Sequence, residues 1–379
     1  MAVSVSKAGP YYSSGEIKFS SLRSNFRAQI RKTTSSGSES FNSDTGEIKA
    51  SELLRNTNTS TTNPVVPNAT ENANISTSSN WKTSQFRDSV KFYYVVLPSS
   101  DDVTNFDIDS QSWNSNLDKN IVKVMFIDGV CGSNSTSSYA ATFDSTAYNL
   151  TLDVYGSILG AGGRGGGTSG APAISGESGG NALYVASSSG NNISVLVRSG
   201  SRIYGGGGGG EKGVDGTAGT NGTCRRESIR QYCAGSPDSG CNEGYYVNTR
   251  RPGCCVSTMR GGCVQSVYQN LCYVDRTTYG GSAGIGGNGG NGQGYNLTKS
   301  NGVAGTSGGA GDICYDISTP SATNGTDGGN GADGGDWASS GGDTTNSGSG
   351  GFGARAISGS NYVVTGTIDS STVKGAYNP

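Results

Sequence analysis

The sequence predicts a mainly β protein that carries a bundle of glycine-rich helices of the polyproline II type and has little α-helix. Glycine recurs at every third position in several tracts, strand-like segments lie between the tracts, and only 32% of the 379 residues are hydrophobic. A period of three fits neither an α-helix nor a β-strand, but it fits the polyproline II helix, which has three residues per turn. The low hydrophobic content leaves no large apolar core.

The longest tract with this period spans residues 207–222, and shorter tracts span 281–290, 302–311 and 325–334. A polyproline II helix makes no internal hydrogen bonds, so its amides need partners in another segment, and glycine allows a second backbone to approach. We therefore expect polyglycine II helices that bond side by side. Collagen needs unbroken triplets and abundant proline, whereas this chain has 64 Gly and 9 Pro. Flexible linkers are the other alternative, and the regular phase of the glycines argues against them.

A sequence repeat links the strands to the glycine tracts. Residues 149–159 read as strand, turn and short strand before a glycine tract, and residues 192–204 repeat that order. A weaker third copy lies at 361–368, and strand-like segments also occur at 90–97 and 121–127. We expect a β framework from which the glycine tracts are excursions.

The N-terminal region holds a second repeat, because Gly-Glu-Ile-Lys at 15–18 returns at 46–49. Each copy reads as an extended piece followed by a Ser-capped helical turn, and the first helix could continue to Ile30. A segment this short cannot bury a core alone, so we expect it to dock onto another protein. The candidate docking residues are Ile17, Phe19, Leu22, Ile48 and Leu53.

The glycine region is interrupted at 223–278 by an insertion with seven cysteines. The wide spacing and the absence of histidine favour disulfides over zinc. Seven is odd, so Cys314 in the next loop makes the eighth, and eight cysteines allow 105 connectivities. Cys131 is then expected to be a buried free thiol. The disulfide candidates are Cys224, Cys233, Cys241, Cys254, Cys255, Cys263, Cys272 and Cys314.

The same insertion is rich in tyrosine and arginine and has no lysine. Both residue types are favoured at binding hot spots, since they offer large contact areas and hydrogen bonds at modest entropic cost. Packing of the tyrosines against disulfides is the alternative role. The candidate binding residues are Tyr232, Tyr245, Tyr246, Arg250, Arg251, Tyr268 and Tyr273.

Signals for chemistry are weak, and we expect no enzymatic activity, no catalytic residues and no cofactor. The chain has no histidine, and its net charge of −2 gives no reason to expect nucleic acid. One Gly-Gly-x-Gly-x-Asp match ends at Asp333, but calcium sites of this kind need stacked copies, so no metal is assigned. No pair of carboxylates stands out for glycoside hydrolysis.

These motifs resemble those of tail-fibre and tail-tip adhesins from marine tailed phages, including phages of cyanobacteria. The resemblance rests on Ile-Tyr-Gly-Gly-Gly-Gly at 203–208, the strand–turn–glycine repeats and the Gly-Glu-Ile-Lys start. The glycine-rich half is also similar to tip adhesins of T4-like phages, in which polyglycine II helices pack in a sandwich and distal loops bind the host receptor. The cysteines point outside the cell although no export signal is visible at the start, which fits release by lysis in a virion.

The resemblance implies a receptor-binding protein of the virion, located in the tail fibre or tail tip and extracellular after lysis. Its expected partners are other tail or fibre proteins through the N-terminus and a host cell-surface protein or glycan. A homotrimeric fibre and a single-chain tip both fit the sequence. The alternatives are an ice-binding or structural glycine-rich protein and a virion-borne polysaccharide depolymerase. A depolymerase would show a long parallel β-helix, for which the strand repeats are too few.

The expected organisation has five parts. They are an attachment segment at 1–60, a linker at 61–80, a β domain at 81–160, a glycine-rich region at 161–352 with the insertion at 223–278, and a C-terminal β segment at 353–379.

Overall fold

The computed structural model divides the chain into two compact units. Unit 1 comprises Met1–Lys212, Asn288–Val303 and Gly331–Pro379, and unit 2 comprises Gly213–Gly287 and Ala304–Asn330. The structure describes the backbone of residues 4–8, 29–32, 39–42, 55, 72–78, 82–86, 89, 92–114, 117, 122–145, 150–169, 171–187, 193–233, 244–250, 266–314 and 322–377.

Strands are the main regular secondary structure of the described residues. They are β1 (Ser4–Ala8), β2 (Gln29–Lys32), β3 (Glu39–Asn42), β4 (Phe92–Leu97), β5 (Asp102–Thr104), β6 (Phe106–Asp107), β7 (Val122–Ile127), β8 (Val130–Gly132), β9 (Ala141–Ser145), β10 (Leu150–Val154), β11 (Ser157–Leu159), β12 (Leu183–Ser187), β13 (Ile193–Val197), β14 (Arg202–Tyr204), β15 (Gly222–Cys233), β16 (Gly244–Arg250), β17 (Ser266–Thr278), β18 (Ile357–Ser360), β19 (Tyr362–Gly366) and β20 (Val373–Lys374). Thr83–Phe86 forms a turn of 3₁₀ helix. The prediction of a mainly β fold is confirmed. No helix among the described residues is long and apolar enough to cross a membrane.

Three sheets of unit 1 wind into a parallel β-solenoid. Their strand orders are β1-β4-β7-β10-β13-β19, β5-β8-β11-β14-β20 and β6-β9-β12-β18. All neighbours are parallel except β1, which pairs antiparallel with β4. One strand from each sheet in turn makes a coil, so the successive coils are β4-β5-β6, β7-β8-β9, β10-β11-β12 and β13-β14-β18, and β19-β20 begins another.

The coils explain the internal repeat of the sequence. Leu150 pairs with Ile193, which in turn pairs with Tyr362, so the three sequence copies lie beside one another in the first sheet. Leu183 pairs with Ile357 in the third sheet, so the strands that follow the glycine-rich segments 160–182 and 205–356 also lie side by side. The expected β framework is therefore one solenoid whose coils are the repeats.

Ladders of equivalent side chains fill the solenoid interior. Each strand places alternate residues inward, and the parallel register stacks them from coil to coil. The ladder of the second sheet is buried throughout and consists of Val103, Cys131, Ile158, Ile203 and Val373. The first sheet contributes the buried residues Val95, Met125, Leu152 and Val195. Full burial of each such side chain contributes about 1.5–3 kcal/mol to the free energy of folding, so these ladders stabilise the solenoid although the chain has few apolar residues.

Two glycine-rich excursions leave the solenoid at one corner, between the second and third sheets. Residues 160–182 connect β11 to β12, and residues 205–356 connect β14 to β18. Since β11 pairs with β14 and β12 pairs with β18, the excursions leave and return at neighbouring positions.

Within unit 1, the segment that follows β14 is surrounded by other glycine segments. Three consecutive amides donate to three different segments: Gly206 N to Gly180 O at 3.0 Å, Gly207 N to Gln293 O at 2.8 Å and Gly208 N to Ser339 O at 2.9 Å. A Cβ atom on Gly208 would lie 1.8 Å from the carbonyl oxygen of Gly351, so only glycine fits there. Bonds to the same segment recur every three residues, since Gly210 N donates to Gly290 O at 2.8 Å as Gly207 N does to Gln293 O, which fits a helix with three residues per turn.

Unit 2 repeats this bonding at a three-residue interval. The amides of Gly213, Gly216 and Gly219 donate at 2.8 Å to the carbonyl oxygens of Gly287, Gly284 and Gly281, respectively. Each step of three residues forward among the donors is a step of three residues backward among the acceptors. The two segments therefore run antiparallel. The polyglycine II conformation itself stays a prediction that fits this spacing.

Side chains supply further acceptors for the glycine amides of unit 2. Asn324, Asp327 and Asn330 stand three residues apart, and each Oδ1 accepts a hydrogen bond from a glycine amide. The donors are Gly311 at 3.0 Å, Gly308 at 2.9 Å and Gly305 at 3.3 Å. The side chains thus accept from three glycine amides for which the described residues of the unit provide no backbone carbonyl.

The N-terminal region contains β1 and a hairpin of β2 and β3. Ile30 lies in β2, so the expectation that the first helix continues to Ile30 is wrong. The pairing of Ile30 with Phe41 provides the reason, because cross-strand contacts override a local helical pattern.

Candidate functional site

The cysteine-rich insertion of unit 2 forms a three-stranded antiparallel sheet with the order β15-β17-β16. Gly222 begins β15 and pairs with Thr278, which ends β17. These two residues mark one end of the sheet, which is called its root below. A disulfide joins Cys224 to Cys314 at a Cα–Cα distance of 5.4 Å. The prediction of a disulfide is confirmed, and the bond ties the root of the sheet to a neighbouring segment of the same unit.

The structure gives backbone positions to six of the seven candidate binding residues. The register places Tyr232 opposite Tyr268, Tyr246 opposite Asn270, Tyr245 opposite Leu271, Tyr273 opposite Glu227 and Arg250 opposite Ser266. Arg251 lies outside the described residues. The sequence grouped these residues as one surface, and the register separates them by face.

Successive residues of a strand lie on opposite faces of the sheet. The register pairs even-numbered residues with even-numbered ones and odd with odd, so all even-numbered positions share one face and all odd-numbered positions share the other. One face, called the Tyr/Arg face below, contains Arg226, Arg230, Tyr232, Tyr246, Arg250 and Tyr268. The opposite face contains Tyr245 and Tyr273, the charged positions Arg225, Glu227 and Asp275, and the aliphatic positions Ile229, Val247, Val267 and Leu271.

The remaining cysteine candidates lie in the two long strands or outside the described residues. Cys233 ends β15 and Cys272 lies within β17. Four candidates fall outside the described residues: Cys241, Cys254, Cys255 and Cys263. Cys131 is buried without a disulfide partner, as predicted, and burial raises the pKa of its thiol to about 12.

The candidate docking residues of the N-terminal repeat also fall outside the described residues. They are Ile17, Phe19, Leu22, Ile48 and Leu53.

Asp333, which ends the calcium-like motif, has a structural contact in unit 1. Its Oδ1 accepts a hydrogen bond from the amide of Gly302 at 3.0 Å. Among the described residues, no three His, Cys, Asp or Glu side chains group closely enough to hold a metal ion. The carboxylate thus acts as an acceptor for a glycine amide, as Asp327 does in unit 2.

Unit 1 contains a polar cavity that the sequence did not indicate. Its volume is about 240 Å³, and it is lined by Gly162 and by the side chains of Asn134, Ser135, Thr136, Arg164, Glu177 and Asn296. These residues come from four separate segments, so no local motif could reveal the cavity. Glu177 is the one carboxylate in the lining, whereas glycoside hydrolysis ordinarily uses two.

A parallel solenoid was the feature expected of a depolymerase, and the structure contains a short one. Its long loops, however, are glycine segments that bond to one another. A parallel solenoid in unit 1 whose long loops are glycine-rich segments, together with a disulfide-tied sheet in unit 2, defines a class of loop-displaying scaffold.

The family model of the phage tail fibre adhesin Gp38 matches residues 92–377. The chain therefore belongs to the Gp38 family of phage tail fibre adhesins, and it is a component of the virion tail. No curated protein matches it. The structure is similar to a chain of the gp37-gp38 adhesin tip complex of the bacteriophage S16 long tail fiber, with a TM-score of 0.34 and 18% identity over 80% of this chain and 88% of that chain. That similarity is too low to add to the family assignment.

Proposed function

We propose that this adhesin binds a host cell-surface receptor through the Tyr/Arg face of the β15-β17-β16 sheet, without catalysis. The observation that carries the proposal is that two contacts hold the end of the sheet where β15 begins and β17 ends. Gly219 N donates to Gly281 O at 2.8 Å just before the strands begin, and the Cys224–Cys314 disulfide follows at once. A sheet held at its root is ordered before it meets a partner, which lowers the entropic cost of binding.

The chemistry of the two faces supports this choice of surface. Tyr and Arg positions concentrate on one face, and both residue types dominate binding hot spots. The opposite face carries charged positions near Gly222, namely Arg225, Glu227 and Asp275, and the aliphatic positions Ile229, Val247, Val267 and Leu271 further along, and such aliphatic positions favour packing against protein. Tyr245 and Tyr273 share that second face, so we assign them to packing.

The glycine segments serve as the scaffold. We interpret them as polyglycine II helices, because their amides bond at three-residue intervals and because a Cβ would collide with neighbouring backbone at positions such as Gly208. Such a bundle needs no apolar core, and its surface loops can vary at little energetic cost. Many copies on a virion would turn weak contacts into avid attachment.

We further propose that residues 1–60 attach the adhesin to another tail-fibre protein. The support is the repeated Gly-Glu-Ile-Lys segment, which is too short to bury a core alone. Both a single-chain tip and a homotrimer agree with this role, and the mass of the chain in solution distinguishes them.

The test is inhibition of phage adsorption by the purified full chain, using the bacterium that the parent phage infects. Tyr246 and Tyr245 are sequence neighbours on opposite faces, so they form a matched pair of variants. Tyr246→Ala should raise the half-inhibitory concentration at least tenfold, which corresponds to about 1.4 kcal/mol. Tyr245→Ala should change it less than threefold, provided that the variant unfolds at the wild-type temperature.

Three outcomes would contradict the proposal at different levels. Equal losses in both variants would reject the assignment to one face. Unchanged inhibition after residues 223–278 are replaced by an Asn-Gly turn, in a chain that also carries Cys314→Ser, would reject the sheet as the site. Failure of the wild-type chain to block adsorption at any concentration would reject receptor binding itself.

A further inference from the structure

We propose that the polar cavity of unit 1 is a second binding site, and that it takes a single neutral sugar ring of a cell-surface glycan. All its lining residues belong to unit 1, so the site would stand if the Tyr/Arg face proved not to bind. Its volume of about 240 Å³ is below the ~300–1,000 Å³ typical of pockets for drug-sized ligands, which suits a ligand as small as one sugar ring.

The cavity is built in advance by hydrogen bonds among its own walls. Glu177 accepts from the hydroxyl of Thr136 through Oε1 and from the amide of Arg164 through Oε2, the latter at 3.2 Å. Asn296 accepts from the amide of Gly162 at 2.8 Å. These contacts fix three walls relative to one another, so little ordering remains to be done when a ligand binds.

The segments behind the walls are also held firmly. Ser133 is buried, and its Oγ bonds to Ser135 O at 2.7 Å and to Ser138 O at 3.0 Å, which shapes the loop between β8 and β9. The backbone of Glu177 donates to Arg164 O at 2.8 Å and accepts from Gly209 N at 2.9 Å. The cavity is thus supported by the solenoid loop and by the glycine bundle together.

The lining matches a hydroxyl-rich ligand. It combines amide groups from Asn134 and Asn296, a guanidinium from Arg164, hydroxyls and one carboxylate, whereas the rings and aliphatic side chains that apolar ligands need are missing from it. A sugar hydroxyl both donates and accepts, so it can bond to any of these groups. The positive charge of Arg164 and the negative charge of Glu177 balance, which favours a neutral ligand over a phosphate or an amine.

Two lining residues remain available for ligand without holding the walls together. Asn134 is exposed, and its backbone carbonyl is the group that accepts from Asn296 Nδ2 at 3.3 Å. Arg164 is exposed, and its Nη1 donates to Ser169 O at 3.1 Å. Their side chains can therefore be removed while the Glu177 and Asn296 contacts persist.

The test is saturation-transfer NMR on the full chain with a panel of neutral monosaccharides, followed by titration of the best one. We expect at least one sugar to bind saturably with a dissociation constant on the order of 1 mM or below, a value common for a small contact area. Asn134→Ala and Arg164→Ala should each weaken that binding at least fivefold. The matched controls Asn301→Ala and Arg355→Ala, at exposed positions of unit 1, should leave it unchanged.

The same titration with a polysaccharide extracted from host cells shows whether the ring is recognised within a glycan. Stronger binding of the polysaccharide supports a cell-surface source, and equal binding per ring supports the ring alone as the ligand. The proposal is overturned if no sugar binds saturably, if the two lining variants bind like wild type, or if inorganic phosphate displaces the sugar and binds more tightly.

Discussion

Arg198 donates two hydrogen bonds to the carboxylate of Asp153, from Nε to Oδ1 at 2.7 Å and from Nη2 to Oδ2 at 2.8 Å. Asp153 lies in β10 and is almost fully buried, while Arg198 directly follows β13, so the pair ties one solenoid coil to the next. The guanidinium also lies 5.2 Å from the ring centroid of Tyr155. The bonds to Asp153 raise the pKa of Arg198, which stays charged at any physiological pH.

We expect Asp153→Asn to lower the free energy of unfolding by about 2–4 kcal/mol, because it leaves the charge of Arg198 partly buried and uncompensated. Arg198→Met should cost a similar amount. The double variant should recover about 1–3 kcal/mol relative to the sum of the single variants, as measured by denaturant unfolding. Additive costs would show that the two side chains stabilise the coils independently. Arg202→Met, at an exposed position in β14, is the control.

The glycine segments should tolerate alanine only where the structure leaves room for a Cβ. At Gly208 the Cβ would lie 1.8 Å from a carbonyl oxygen, whereas at Gly329 the nearest atom would be 3.3 Å away. Gly208→Ala should therefore cost about 3 kcal/mol or more and abolish a cooperative melt in the worst case. Gly329→Ala should stay within about 1 kcal/mol of wild type, since alanine also restricts the unfolded chain. Equal effects in calorimetry would contradict this account of the packing.

The Cys224–Cys314 disulfide closes a long loop, with 90 residues of sequence separation. Replacing both cysteines by alanine should destabilise unit 2 by about 2–4 kcal/mol, mainly by freeing the unfolded chain. Hydrogen exchange should detect this as faster exchange of amides in 213–222 and 279–287, with unit 1 unchanged. Cys131→Ala, in unit 1, is the comparison, because it removes a cysteine and should leave amide exchange in 213–222 and 279–287 unchanged. Peptide mapping without reduction should recover the bond, and a different partner for Cys224 would refute the assignment.

The contact between Asp333 and Gly302 predicts how calcium will affect stability. Asp333→Asn keeps the Oδ1 acceptor and should change the unfolding free energy by less than about 0.5 kcal/mol, whereas Asp333→Ala should cost about 0.5–1.5 kcal/mol. Melting temperatures in calcium chloride and in EDTA should agree for all three chains. A calcium-dependent rise in the wild-type chain that Asp333→Asn removes would instead identify a metal ligand.

The sequence supports the framework well and the site poorly, for a physical reason. Copies of a solenoid coil must place equivalent residues in one ladder, so the repeat that pairs Leu150 with Ile193 is visible in the sequence. Burial of Cys131 follows from its place in such a strand. Closure of three strands into a coil depends on distant pairings that no single segment encodes, and this is why the sequence indicated a β framework but not a solenoid.

The candidate binding residues show the same contrast between what the sequence indicates and what depends on long-range pairing. Tyr and Arg enrichment is a compositional signal, but Tyr245 and Tyr246 can be told apart only when the register of β16 with β17 is known. The cavity brings Asn134 together with Asn296, which are 162 residues apart in the chain. Contacts of that range depend on the packing of glycine segments, whose repetitive sequences carry little information about which segment pairs with which.

Cys131 provides a prediction about alkaline pH. Burial raises the pKa of its thiol from an ordinary value of 9.0 to about 12, so the folded chain holds the proton more tightly than the unfolded chain. Above pH 9 the thiol ionises in the unfolded chain but not in the folded chain, so the free energy of unfolding falls as the pH rises from 9 to 12, by about 4 kcal/mol in total. Below pH 9 the thiol is protonated in both states and has no such effect. Tyrosines also titrate in this range, so the informative quantity is the difference between wild type and Cys131→Ala. That variant should be less stable at pH 7, because it leaves a small cavity, and the gap should close progressively above pH 9. A gap that stays constant from pH 8 to pH 11 in denaturant unfolding would show that the thiol does not titrate with this shift.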